Sequence, residues 1–189
     1  LSRQDTKSVL DRVAEGDPKV VEDLVPKLLP LATVQKVLQN LLRERVSIRD
    51  SVTVLEALGE AGAMTKNPVL LTEYVRQAIR RLLVRPFLNH EGELPALFVD
   101  SQIEQAIEAA VEHNEQSSHV NLSPQKLREI VDKVRQAVGA NETPVAAVTT
   151  SSARFFLRQM VESSLPNLSV FSHNEIPNGV RVISLGLIQ

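Results

Sequence analysis

The residues best suited to chemistry are scattered, and each cluster meets an obstacle. His113 and His119 share one polar stretch with Glu112 and Glu115, the side-chain types that bind transition metals. Their spacing matches no recognised ligand set, and a chain without cysteine has no thiolate site. The stretch His113 to Val120 is therefore expected to be a solvated loop, and no metal is expected. Asp100-Ser101 and Thr149-Thr150-Ser151-Ser152 each follow a predicted strand and open a predicted helix. Ligands of α/β proteins sit at such points, where helix-start amides can hold an anion. Neither loop contains glycine, so close backbone approach to a phosphate is unsupported, and the hydroxyls are expected to be N-caps. Arg154 and Arg158 lie one helical turn apart. They could receive an acidic partner, but the plainer expectation is a solvated helix face. His90 and His173 stand in polar sequence, and Pro177-Asn178-Gly179 reads as a turn. No nucleophile, base and oxyanion set emerges, so neither an enzyme nor a cofactor is expected.

The most organised charged cluster is a corner. In LATVQKVLQNLLRERVSIRDSVTVLEAL, Leu31, Val34, Leu38, Leu41 and Leu42 form one apolar helical face, and Ile48, Val52, Leu55 and Leu58 form a second. Between the two predicted helices crowd Arg43, Glu44, Arg45, Arg49 and Asp50. Ser47 and Asp50 have the spacing of a capping box opening the second helix. The helices alone leave the density of charge unexplained.

The remaining elements follow from periodicity and punctuation. Gln4 to Ala14 and Pro18 to Leu29 are predicted helices, the second limited by Pro26 and Pro30. Gly59, Gly62 and TKNP break the pattern. Asn67 then caps a long amphipathic helix with Pro68 at its first position, and Glu73 is expected to pair with Arg76 or Gln77 on its outer face. Pro86 ends this helix, and the polar run 89–93 marks a boundary. Beyond it the rhythm changes. A strand at Leu94–Val99 is followed by a helix that Ser101 and Glu104 would box. Ser123-Pro124 starts another helix, then come a buried strand at Pro144–Thr149, a helix from Ser151 to Ser163, and strands at Leu168–Ser172 and Val180–Leu185. The predicted class is α+β: an all-helical subdomain over 1–88, then a small β-α-α-β-α-β-β sandwich over 89–189.

Composition agrees with this reading. Apolar residues make up 43% and aromatics only 3%, so the cores must be aliphatic. No run reaches the roughly 20 apolar residues that span a bilayer. Residues 1–88 carry 14 Lys+Arg against 11 Asp+Glu, and 89–189 carry 7 against 12, a split of +3 and −5 behind the net −2. Neither half is basic enough for general nucleic-acid binding. A helix-turn-helix reading of the corner would place Ile48–Leu58 in the groove, with Arg49 opposed by Asp50 and Glu56. A small-molecule-binding α/β module using the loops after Asp100 and Thr149 is the other alternative.

Three stretches carry a family resemblance. VQKVLQNLLRERVSIRD with TVLEAL, then NPVLLTEYVRQAIRR, then PVAAVTTSSARFFLRQMVESSLPNLSVFSHNEIP resemble the cytoplasmic region of the flagellar and virulence type III secretion export-gate family. The likeness covers essentially the whole chain. It implies the two C-terminal cytoplasmic subdomains of a membrane export gate, flagellar or its virulence counterpart. The chain begins with Leu rather than Met, as expected of an excised piece whose membrane helices lie N-terminal to it, on the cytoplasmic face of the inner membrane. The resemblance further implies a nonameric ring of self-assembled copies that receives exported proteins, chaperone–substrate complexes and other export components. On that basis Arg43, Glu44, Arg45, Arg49, Asp50, Arg76 and Arg80 are the candidates for subunit contact.

Overall fold

A computed structural model describes residues 1–139 and 144–189. Contacts divide the chain into two compact units. One holds Leu1–Ile79 with His113–Ser118, the other Arg80–Glu112 with His119–Gln189.

The first unit is helical: α1 (Arg3–Gly16), α2 (Pro18–Leu24), α3 (Leu31–Arg43), α4 (Ser51–Ala61) and α5 (Pro68–Ala78). α1 opens on a capping box in which the Ser2 amide donates to Asp5 Oδ2 at 2.8 Å and the Asp5 amide to Ser2 Oγ at 3.0 Å. α5 packs on both α3 and α4, and α2 packs on α4. Val34, Val37, Leu38 and Leu41 of α3, Val54, Leu55 and Leu58 of α4 and Leu71 and Val75 of α5 are all buried, and α5 packs against both other helices to form an aliphatic core. Gly62, just past α4, sits where a Cβ would lie 2.8 Å from Leu28 Cδ2 and 3.0 Å from the Leu58 carbonyl, so the break read from this glycine is also a close approach of backbone to side chain. The long helix predicted from Pro68 stops at Ala78, because Ile79 leaves helical geometry (φ −105°, ψ 21°).

Arg80 opens the second unit with α6 (Arg80–Val84), followed by a 3₁₀ turn, Arg85–Phe87. Then come β1 (Leu94–Val99), α7 (Ser101–Ala110), β2 (Val111–His113), β3 (Ser118–Val120), α8 (Pro124–Val138), β4 (Val145–Thr149), α9 (Ser151–Val161), β5 (Leu168–Ser172) and β6 (Val182–Ile188). The main sheet has the order β5-β4-β1-β6 with all pairs parallel. β4 is buried along its whole length, as a central parallel strand covered on both faces must be. One face is covered by α6, the 3₁₀ turn and the β5–β6 crossover, where Val84, Leu83, Phe87, Ile176 and Val180 pack against Leu94, Ala96, Ala146, Val148 and Phe171. This packing explains why the contacts divide at Ile79/Arg80 while the composition shift lies at 88/89.

The expected mixed class holds, the structure adds that the main sheet is parallel, and the differences from the expected order are local. The polar stretch read as a loop forms the β2–β3 hairpin. The last strand begins two residues late, at Val182, and runs to Ile188. The second predicted helix ends at Leu24, five residues early, where the Leu24 carbonyl accepts from the amides of Leu28 and Leu29 in a turn. The strand expected from Pro144 begins one residue later, at Val145, and ends at Thr149 as expected.

Candidate docking surface

The corner between α3 and α4 is built from the backbone outward. α3 ends in a Schellman motif: the Arg45 amide donates to the Leu42 carbonyl at 2.9 Å and the Val46 amide to the Leu41 carbonyl at 3.0 Å. Buried Val46 and Leu41 supply its apolar contact. The motif places Arg45 in the left-handed region at φ 63°, where a non-glycine residue costs on the order of 1 kcal/mol. α4 begins at Ser51, not at Ile48, and its cap is Asp50, whose carboxylate accepts from the Thr53 amide at 3.3 Å and the Thr53 hydroxyl at 2.6 Å. The expected Ser47–Asp50 box does not form. Ser47 Oγ accepts instead from the Arg49 amide at 3.2 Å, and Thr53 gives Asp50 a second donor that Ser47 lacks.

The side chains sort into two layers. Glu44 and Arg76 face each other at 3.7 Å with 7% and 4% of their side chains exposed, tying the end of α3 to the last turn of α5. Asn40 supports this from below by donating to Thr72 Oγ1 at 3.1 Å. Arg43, Arg45, Arg49 and Asp50 lie exposed above the pair. Leu42, read as a core position, is 40% exposed beside them, whereas Val37 takes the core place. The stripe at 34, 37, 38 and 41 keeps the 3.6-residue period and Leu42 falls to its side. Arg80 belongs to the second unit. The structure thus gathers five of the seven candidates at one corner, places Arg76 beneath them, and puts Arg80 in the other unit. Glu73, expected on the outer face of α5, is buried.

The other candidate chemistry is absorbed by the fold. The Glu104 carboxylate sits at the start of α9, accepting from Thr149 Oγ1 at 2.7 Å and from the Thr150 amide at 3.0 Å, and Glu108 accepts from Thr150 Oγ1. The place where an α/β protein would hold an anion is filled by the chain's own carboxylate. Glu104 is accordingly not the capping-box partner of Ser101; the N-cap of α7 is Asp100. Arg154 and Arg158 are buried, not solvated. Arg154 Nη1 donates to the Val170 carbonyl at 3.0 Å and its Nε lies 3.8 Å from Glu175 Oε2. Glu175 Oε1 accepts from the Ser172 amide at 3.1 Å within a Ser172–Glu175 capping box. His119 Nε2 lies 3.1 Å from Glu112 Oε2, and His113 Nδ1 bonds Ser118 Oγ. Among the described residues, no group of three or more His, Cys, Asp or Glu is disposed to hold a metal. α4, the would-be recognition helix, packs on α2 and α5 and exposes Glu56 and Glu60.

Asn67 does more than its sequence position announces. Its Oδ1 accepts from the amides of Val69 and Leu70, capping α5. Its Nδ2 donates to the carbonyls of Asn114 at 2.7 Å and Ser117 at 3.0 Å, anchoring the hairpin tip that belongs to the same unit.

A helical unit followed by a parallel sheet in the order β5-β4-β1-β6 is the fold of known type III secretion proteins. The CdsV protein of Chlamydia pneumoniae superposes with a TM-score of 0.91 at 28% identity, over 100% of this chain and 55% of that one; it has also been solved in complex with CdsO. The nonameric cytosolic domain of EscV, from a type III secretion system, gives a TM-score of 0.84 at 26% identity over 100% of this chain and 56% of that one. This chain belongs to the FHIPEP family, whose model matches residues 1–181. The flagellar biosynthesis protein FlhA of Bacillus subtilis is 32% identical over 191 residues, covering 100% of this chain and 28% of that protein, so the chain spans little more than a quarter of this curated relative. Among the described residues, no helix is long and apolar enough to cross a membrane.

Proposed function

We propose that this chain is the C-terminal cytoplasmic portion of a membrane export gate of the flagellar type III apparatus. In the full-length protein it builds a nonameric ring beneath the inner membrane, which serves as a docking platform for exported proteins, chaperone–substrate complexes and other export components. It acts without catalysis or cofactor. The observation that carries the reading is the α3–α4 corner. Arg43, Arg45, Arg49 and Asp50 are presented on a backbone fixed by the Schellman motif and by the buried Glu44–Arg76 pair, in a family with a nonameric relative. Charges so presented set the register of subunits more than their affinity. EscV favours the virulence counterpart as the second reading.

The test is Arg49→Glu in the full-length protein. Ring assembly and secretion of filament protein are expected to fail while the purified chain keeps its circular dichroism spectrum and melting temperature. A ring of normal size would refute the role given to this corner. Because the chain covers 55% of CdsV, chaperone–substrate complexes are expected to bind it weakly or not at all by titration calorimetry. Tight binding would relocate that docking site to this half.

A further inference from the structure

We propose that Asn178 is a site of spontaneous modification, at which the main-chain nitrogen of Gly179 closes on the Asn178 side-chain carbon and converts the residue to aspartate and isoaspartate.

The chemistry needs an asparagine, an unhindered amide nitrogen next in the chain, and room to close a succinimide ring. Asn178-Gly179 is the single Asn-Gly step in the sequence. Glycine has no Cβ to screen its own nitrogen, and a Cβ built at Gly179 would meet nothing within 4 Å, so the space is open. Both residues are exposed. The Val180 amide donates to the Pro177 carbonyl at 3.1 Å. Gly179 lies at φ 90° while Asn178 keeps an ordinary negative φ, the geometry of a type II turn. The bond that closes this turn is made by the flanking residues and engages neither reacting group. Among the described residues, neither the Asn178 side chain nor the Gly179 amide has a hydrogen-bond partner.

Other asparagines lack one requirement or another. Asn67 is buried and precedes Pro68, which has no amide hydrogen. Asn40 is buried in α3. Asn89 and Asn114 are exposed, but each Oδ1 accepts from two amides further along its own loop. Asn174 is exposed and precedes the buried Glu175 rather than a glycine.

Water is the only co-reactant. The Gly179 nitrogen gives its proton to solvent and bonds to Asn178 Cγ. The Cγ–Nδ2 bond breaks, and Nδ2 takes up a proton and leaves as ammonia. Water then opens the succinimide. Breaking the new N–Cγ bond leaves aspartate in an unaltered main chain. Breaking the bond between the Gly179 nitrogen and the Asn178 main-chain carbonyl carbon leaves isoaspartate, whose chain runs through Cγ and is longer by a methylene. Either product adds a negative charge to the turn, and isoaspartate also breaks the Val180–Pro177 bond that closes over it. Both flanks are anchored. Glu175 is paired with Arg154, and the Arg181 carbonyl accepts from the Leu94 amide at 2.8 Å. The added length must be taken up between them, where Ile176 and Val180 pack against one face of the sheet.

The test incubates the folded chain at mildly alkaline pH. Tryptic peptides are read by tandem mass spectrometry, and isoaspartate is counted by methyl transfer from labelled S-adenosylmethionine with protein isoaspartate methyltransferase. The expected result is loss of the Asn178 amide while Asn167 and Asn174, in the same tryptic peptide, keep theirs, with methyl acceptance abolished by Asn178→Ala. Methyl acceptance that survives Asn178→Ala, or equal conversion at Asn174, would overturn the assignment. So would conversion of Asn178 only after unfolding in urea, since the folded turn would then hold the side chain away from the nitrogen. In the isoaspartate fraction, hydrogen exchange at the Val180 amide should quicken; an unchanged Val180 would refute the break in the turn.

Discussion

In the second unit Arg154 and Glu175 are both fully buried, and each has further hydrogen bonds: Arg154 to the Val170 carbonyl, Glu175 from the Ser172 amide. In the first unit Glu44 and Arg76 are nearly buried at 3.7 Å, directly beneath a group of exposed arginines and a left-handed Arg45. The chemistry of the pair is the same and its use differs. Arg154 and Glu175 fasten the first turn of the β5–β6 crossover to α9, so they hold a fold together from inside. Glu44 and Arg76 fasten the rim of a surface, so they hold something in position for an outside partner. Burial decides what each pair is worth. A charge with no route to water must be compensated where it stands, whereas one near the rim can turn outward when its partner is lost.

The largest effect should therefore come from Arg154→Met. Leaving Glu175 buried without its countercharge is expected to cost about 3–5 kcal/mol, read by urea unfolding, with amides of β4 and β5 losing exchange protection while α1–α5 keep theirs. Adding Glu175→Leu should recover much of that loss, since a buried pair replaced whole by apolar groups is often close to neutral. If Arg154→Met alone proves neutral, the pair is not a scaffold and the contrast disappears.

Arg76→Met should cost less, about 2 kcal/mol, because Glu44 can rotate toward solvent. Its larger consequence should be functional: the corner loses its tie to α5, and ring assembly should fall even where the chain remains folded at the growth temperature. Equal losses of stability from Arg76→Met and Arg154→Met would mean that both pairs are scaffolds, and the corner would lose its distinction.

How far this contrast could be read from the sequence depends on how far apart the partners lie. Elements written in local code were legible. β1 and β5 have the predicted limits, Asn67-Pro68 caps α5 as expected, and Ser123 caps α8 by accepting from the Lys126 amide at 3.1 Å. The Ser2–Asp5 box was equally local and was not read. What local pattern could not supply is a partner distant in sequence. Arg154 looked like a solvated residue because Glu175 lies 21 positions away beyond β5. Glu104 fits a capping box on paper, but Thr149 and Thr150, some 45 positions on, offer its carboxylate a hydroxyl and an amide. The corner was legible as crowded charge. That Glu44 and Arg76 would sink while Arg43, Arg45 and Arg49 stayed outside was set by the packing of α3 on α5. The closing VFS-x-x-EIP segment, which the resemblance singled out, has a physical reason here: it is the end of a strand, a capping box and the acid of a buried pair.

A third comparison sets one cap against another. Asn67→Ala removes the α5 cap and also leaves the Asn114 and Ser117 carbonyls without their donor, so about 2 kcal/mol is expected. Ser123→Ala in the second unit removes a cap alone and should cost about 1 kcal/mol. Hydrogen exchange distinguishes the two: Asn67→Ala should speed exchange through residues 113–118, and Ser123→Ala should affect the first turn of α8 only. Equal costs would show that the hairpin tip is held by something other than Asn67.

The smallest effect compares the two units at their surfaces, where the order of causes reverses. Asp5 is held below the ordinary carboxylate value first by a backbone hydrogen bond from Ser2 and next by the Ser2 hydroxyl. Glu129 is lowered first by the charge of Lys126 and next by a hydrogen bond from Lys133. In both cases the folded state favours the carboxylate, so each contribution is fully present above the unfolded value and is lost as pH falls through the lower folded one. Salt should separate them. At 1 M the screening length shrinks to about 3 Å, which weakens the pull of Lys126 on Glu129 but leaves the short Ser2–Asp5 hydrogen bonds in place. Carboxyl-resonance titrations by NMR at low and high salt should show Glu129 moving up toward its ordinary value and Asp5 moving little. If both move together, the Asp5 shift is also one of long-range charge, and the capping box contributes less to the start of α1 than its 2.8 and 3.0 Å hydrogen bonds imply.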